Sequence, residues 1–253
     1  MKVKQTWLVL PAAGIGSRMK ADRPKQYLEM TVNGSKKTVI EYTLDAVLAY
    51  SGIYKVVVVV TLGDPYWQEI SQARGYDKDP RILVVAGGSE RCYSVLNALT
   101  AISAIEQQAK EQSNKEKELA WVAVHDVARP CLSYADLDKL FSAVENYPDG
   151  GILAAPVRDT MKRGLASNVN GSRIEHTVER EQLWHALTPQ MFPLNSLLNN
   201  LQSALAEDFE VTDEASAMEH AGAQPVLVSG RSDNLKITRP EDLKLAEFYL
   251  NNF

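Results

Sequence analysis

Two cations stand seven residues apart, Arg18 and Lys25, just after a glycine pair in the stretch LVLPAAGIGSRMKADRPKQY. Gly14 and Gly16 let the backbone approach a ligand closely and turn N–H groups toward it. Arg18 and Lys25 add positive charge within reach of the same loop. Triphosphate chemistry needs this combination, because charge on the phosphoryl oxygens must be neutralised while an oxygen attacks phosphorus. A tight turn with two solvated cations fits the loop alone equally well. The third glycine of G-x-G-x-x-G is missing, and so is the G-x-x-x-x-G-K-[ST] spacing of a P-loop.

Three other segments carry residues of matching chemistry. AGGSERCYSV offers Gly87, Gly88, Ser89 and Glu90 at the start of a helix, where a glycine pair can bring backbone groups to a planar base. HDVARP places Asp126 at a strand end, suited to a ribose hydroxyl or Mg²⁺, with Arg129 as a simple alternative partner. GRSDNLKITRP carries Asp233 and Lys236. Each alone reads as a cap or a surface charge. Four loops at one sheet edge, bearing Arg, Lys, Lys and two Asp, read as a ligand site.

The elements that must position these loops follow from apolar patterning. Runs at Trp7–Pro11, Lys55–Thr61, Arg81–Ala86, Ala120–His125 and Gly151–Val157 are expected to be buried strands. The valines Val56–Val60 are apolar on both faces, as in a central parallel strand covered by helices. Helical stripes run through Val39, Ile40, Leu44, Val47 and Leu48, through Val95, Leu99 and Ile102, and through Leu137, Leu140 and Val144. A last helix begins at Pro240. Such alternation predicts an α/β fold with a mostly parallel twisted sheet flanked by helices. Residues 158–180 break the rhythm: Gly164 and Asn170-Gly171 punctuate short alternating stretches and predict a projecting β-arm. A polar arm buries little on its own domain, so it is expected to pack on a partner subunit. The segment Glu106–Glu118 reads as a frayed helix end and solvated loop.

Bulk properties narrow the function classes. A net charge of −5 over 253 residues argues against nucleic acid as a partner. The apolar stretch near the amino terminus is broken by Pro11, too early for a secretory segment or a membrane span. Cys92 and Cys131 are isolated, which predicts no disulfide scaffold and a cytoplasmic location. The histidines lack zinc-ligand spacing. His125 and His185 read as structural, His185 as packed beside Trp184.

The ordered blocks PAAGIGSRM…PKQY, GGSERCYSV, VHDVARP, APVRDTMKR, HTVEREQLWHALTPQ, TDEAS and DNLKITRPEDL resemble the 2-C-methyl-D-erythritol 4-phosphate cytidylyltransferase family over nearly the whole chain. The resemblance implies one Rossmann-like nucleotidyltransferase domain, residues 1–253, forming a homodimer that exchanges its arms. It implies a transferase of isoprenoid biosynthesis by the non-mevalonate pathway, making 4-diphosphocytidyl-2-C-methyl-D-erythritol and pyrophosphate by in-line attack on the α-phosphate of CTP. Carried over by motif, Arg18, Lys25 and Lys236 would be catalytic. Pro11, Ala12, Ala13, Gly14, Gly16, Gly87, Gly88, Ser89, Ser94 and Asp126 would bind CTP. Arg129, Thr160, Arg180, Thr188 and Thr212 would hold the methylerythritol phosphate, Arg180 because guanidinium grips phosphate bidentately. Mg²⁺ or another divalent cation would bridge the triphosphate, with Asp126 beside it. Ser89 departs from the pattern, standing where many relatives carry an acidic residue. A cytidylyltransferase for another polyol phosphate, such as ribitol 5-phosphate, is the nearest alternative. A Rossmann oxidoreductase and a non-catalytic nucleotide sensor are more distant ones.

Overall fold

A strand whose side chains are all apolar needs cover on both faces, and the valine run has it. A computed structural model describes residues 5–14, 19, 22–113, 120–165 and 173–252. Gly16, Arg18 and Asn170-Gly171, singled out by sequence, lie outside these residues. In chain order the elements are β1 (Thr6–Pro11), β2 (Glu29–Val32), β3 (Ser35–Thr38), α1 (Val39–Leu48), β4 (Ile53–Val60), α2 (Pro65–Arg74), β5 (Ile82–Ala86), α3 (Arg91–Ser113), β6 (Trp121–Val124) and α4 (Tyr134–Val144). They continue as β7 (Gly151–Pro156), β8 (Met161–Gly164), β9 (Ile174–Val178), β10 (Trp184–Pro193), α5 (Leu194–Ala206), α6 (Glu214–His220), β11 (Val226–Ser229) and α7 (Pro240–Asn251).

The main sheet has the order β11-β7-β10-β6-β1-β4-β5. β10 runs antiparallel to both neighbours, whereas the pairs β1–β4, β1–β6, β4–β5 and β7–β11 are parallel. Alternate side chains divide the core. Leu8, Leu10, Val56 and Val58 face one layer with Leu44, Leu137 and Leu140, and Trp7, Val9, Val57 and Val59 face the other with Leu99, Leu197 and Met218. Val56–Val59 are fully buried between these layers, so burying each valine contributes on the order of 1.5–3 kcal/mol. The five strands expected from sequence are present, with ends shifted by a residue or two.

Two sequence readings need correction. Glu106 is no solvated residue: it is buried, and its carboxylate accepts from Trp7 Nε1 and Gln5 Nε2, both at 2.9 Å. A charge-assisted bond to a buried indole outweighs the polar look of its neighbours. His185 is exposed rather than packed: it pairs with Ala155 of β7, but β6 joins β10 only from Gln190 onward, so this end of β10 has a sheet neighbour on one side.

Candidate active site

Parallel strands bring their carboxyl ends to one edge, so the loops after β1, β5 and β6 meet there. Two local devices hold the first loop. Ala12 N donates to Val59 O at 2.7 Å, and the buried Gln26 amide donates to Ala12 O at 2.6 Å and Gly14 O at 3.1 Å. Lys25 Nζ donates to Ile237 O at 2.9 Å, tying that loop to the segment carrying Lys236. The loop after β5 approaches so closely that only glycine fits: a Cβ on Gly87 would stand 2.4 Å from Ala13 Cβ, and one on Gly88 2.4 Å from Tyr93 Cβ. Gly88 N donates to Ser94 Oγ at 3.0 Å.

The result is a pair of adjoining hollows of about 190 and 220 Å³. The first is lined by Pro11, Ala13, Gly14, Lys25, Gly88, Ser89, Ser94, Asp126 and Lys236 among others. Ala12 and Gly87 stand directly behind it. The second is lined by Arg129, Thr188 and Thr212, together with Gln190 and Asp213. Arg91, Asp126 and Lys236 line both. Thr160 and Arg180 are not brought there within one chain. Thr160 is exposed, and Arg180 donates to Arg158 O beside a separate hollow of Pro156, Val157 and Trp184. Asp233 lines neither hollow and instead takes the Arg231 guanidinium at 2.9 Å.

Asp126 is the electrostatic centre. Its carboxylate lies 2.9 Å from Lys236 Nζ, 3.3 Å from Arg129 Nε and 3.4 Å from Arg91 Nε. Burial alone would raise its pKa, but the charges of Arg91, Lys236 and Arg129 outweigh it and hold the carboxyl well below the usual range. A single carboxylate already shared by three cations does not fit the anchor of a resident metal. Among the described residues no group of three or more His, Cys, Asp or Glu could hold one.

The wall behind Asp126 is a closed circuit of buried bonds. Register explains it: Gln190 opposes Val124 across the antiparallel pair, so Thr188 reaches the level of Asp126. Asp126 N donates to Thr188 Oγ1 at 3.0 Å, and Thr188 Oγ1 meets His125 Nδ1 at 2.9 Å. His125 Nε2 faces Arg129 O at 3.0 Å; a carbonyl only accepts, so the ring carries its proton on Nε2 and takes the Thr188 hydroxyl proton on Nδ1. Burial pushes the His125 pKa down to about 4, against a smaller upward pull from the Arg129 carbonyl, and keeps the ring neutral. Arg129 Nη1 donates to Asn234 O at 2.7 Å, and Asn234 Nδ2 donates to Thr188 O at 2.8 Å. His125 is thus structural, as expected.

Sequence reasoning missed Arg91, Glu214, Gln26 and Asn234. All four lie inside the quoted blocks, but nothing in their spacing distinguishes a bracing side chain from a solvated one.

The family model for 2-C-methyl-D-erythritol 4-phosphate cytidylyltransferase matches residues 6–252. The protein of that name from Vibrio atlanticus (strain LGP32) is 52% identical over 243 residues, covering 96% of this chain and 94% of the relative. That from Aliivibrio fischeri (strain ATCC 700601 / ES114) is 51% identical over 242 residues, covering 96% and 92%. The crystal structure of the Francisella tularensis enzyme superposes with a TM-score of 0.74 at 30% identity, covering 97% of this chain and 99% of that one. The match of the family model over residues 6–252 and identities near 50% over nearly its whole length show that the chain belongs to the 2-C-methyl-D-erythritol 4-phosphate cytidylyltransferase family.

Proposed function

We propose that the two hollows divide the substrates of this family's reaction between them, CTP in the first and methylerythritol phosphate in the second. The chain is a nucleotidyltransferase that transfers CMP from CTP to 2-C-methyl-D-erythritol 4-phosphate, and a ribitol phosphate activity is not favoured. The observation that carries the division is the shared boundary at Arg91, Asp126 and Lys236, where an attacking phosphate and an α-phosphate would meet.

In this reading cytosine lies against the backbone of Ala12, Ala13, Gly87 and Gly88. Ser94, having accepted the Gly88 amide, keeps its own hydroxyl proton to donate to the base. Asp126 takes a ribose hydroxyl. A phosphate oxygen of the polyol attacks the α-phosphorus in line, and the α–β P–O bond breaks with its electron pair leaving on pyrophosphate. The attacking group is already anionic, so no general base is required and the work is placement and charge stabilisation. Lys25, with Arg18, stabilises the charge that grows at phosphorus, and Lys236 exchanges Asp126 for the α-phosphate. Arg129, Thr188 and Thr212 hold the polyol. Magnesium enters as the CTP chelate, as part of the substrate.

Thr160 and Arg180 serve the polyol phosphate of a second subunit in a homodimer. The exposure of Met161, Leu165, Ile174 and Leu183 on and beside the arm supports that reading. No described helix is long and apolar enough to cross a membrane. The free thiols of Cys92 and Cys131 support a cytoplasmic location. Pyrophosphate release with each of four nucleoside triphosphates, against methylerythritol phosphate and ribitol 5-phosphate, tests the reading. CTP with methylerythritol phosphate should dominate in kcat/KM; equal turnover of ribitol 5-phosphate would contradict it.

A further inference from the structure

Two anions must approach one another at the boundary between the hollows, and their repulsion is strongest where water is excluded. Among the described residues only Arg91, Asp126 and Lys236 line both sides of that boundary. Asp126 is itself negative, and Lys236 already has a role. Arg91 has none.

Its setting is specific. Arg91 Nη1 donates to Glu214 Oε1 at 2.7 Å and Nη2 donates to Glu214 Oε2 at 3.0 Å, while Nε lies 3.4 Å from Asp126 Oδ1. Guanidinium has five N–H groups, so one remains on each Nη after these contacts. About a third of the side chain (31%) is open to solvent, whereas the Glu214 carboxylate is 3% exposed. Glu214 cannot reach a ligand and Arg91 can. The brace is itself fixed: Asp213 caps α6 by accepting from Ser216 N at 2.9 Å, and Gln190 bonds both Asp213 Oδ2 at 2.7 Å and Ala215 N at 2.9 Å. An ion pair this buried gains little stability over apolar residues of the same volume. A purely structural role therefore gives no reason to aim the guanidinium at the boundary.

We propose that Arg91 is a further phosphate-binding catalytic cation of this reaction, seated between the two hollows, and that Glu214 is its positioning residue. The inference rests on the assignment of CTP and methylerythritol phosphate to those hollows. Glu214 holds the fork in one plane, so the N–H groups it leaves free are fixed in direction before a phosphate arrives, without a further loss of side-chain freedom.

The test compares Arg91→Ala, Arg91→Lys, Glu214→Gln and Lys25→Ala by steady-state kinetics and thermal unfolding. Folded Arg91→Ala should lose roughly 10²-fold in kcat, as when one transition-state donor is removed. Guanidinium ion added at millimolar concentration should restore part of that loss. Glu214→Gln and Arg91→Lys should each lose about tenfold in kcat with KM for CTP little changed, since only placement is impaired. Arg91→Ala turning over within about threefold of the parent would overturn the inference. If that variant does not fold, parental kcat in both Arg91→Lys and Glu214→Gln overturns it. Loss in Lys25→Ala alone defeats the Arg91 role while leaving the substrate assignment intact; activity retained in both alanine variants defeats the assignment itself.

Discussion

The cleft wall and the β-arm carry predicted substrate contacts in opposite ways. Behind Asp126 the polar groups are buried and linked: His125, Thr188 and Asn234 are each at most 5% exposed and joined in one circuit, in which Asn234 Oδ1 alone among the described buried side-chain atoms has no hydrogen-bond partner. On the arm, β8 is exposed along its whole length and Ile174 is 64% exposed. A wall that shapes charge must be rigid before substrate arrives, because preorganised dipoles cost nothing at the moment of reaction. An arm that displays apolar side chains to water is unfinished until something covers it. One chain thus gathers the cleft residues around Asp126 but leaves Thr160 and Arg180 outside both hollows.

The sharpest way to break this contrast is Lys25→Ala. It should lower kcat by ~10²-fold or more, measured by pyrophosphate release, and an unchanged turnover number would remove the cleft from catalysis. Next comes acid stability. The folded pKa of His125 lies below its ordinary value of 6.5, near 4, so the unfolded chain binds the extra proton first. Stability should therefore be full above about pH 6.5 and fall by on the order of 3 kcal/mol as pH drops through about 4. His125→Gln should flatten this part of the profile in urea titrations at pH 7 and 4.5. An equal slope in both proteins would show that the wall does not depend on a neutral ring.

Arg180→Ala should raise KM for the polyol phosphate by about tenfold, the loss of one charge-assisted contact, with kcat less affected. Mixing Arg180→Ala with Lys25→Ala chains sharpens the comparison further. In a two-fold dimer with exchanged arms, random pairing restores one intact site in half the dimers, roughly a quarter of all sites. No recovery on mixing would place cleft and arm function in the same chain. The smallest effect belongs to Ile174→Ser, expected to change monomer stability by less than about 0.5 kcal/mol while weakening association seen by sizing.

Periodicity exposed the parallel strands because their faces are uniformly apolar; Val56–Val60 could be placed no other way. It missed β10, where Pro189 and the polar Thr188 and Gln190 interrupt the pattern inside a buried strand. It also missed β11, only four residues long. At the site, glycines and cations were legible from type and spacing. Arg91 and Glu214 were not, because a pairing 123 residues apart depends on the antiparallel strand that brings α6 back to the sheet edge. The Asp126–Thr188 bond depends on the same strand.

The most direct measurement is a crystal structure with Mg·CTP bound. The base should rest on Gly87 and Gly88 beside Ser94, with the α-phosphate at the boundary of the two hollows and Lys236 drawn from Asp126 toward it. An α-phosphate seated away from Lys25, Arg91 and Lys236, with no closure able to bring them together, would contradict the convergence of cations on which the mechanism stands.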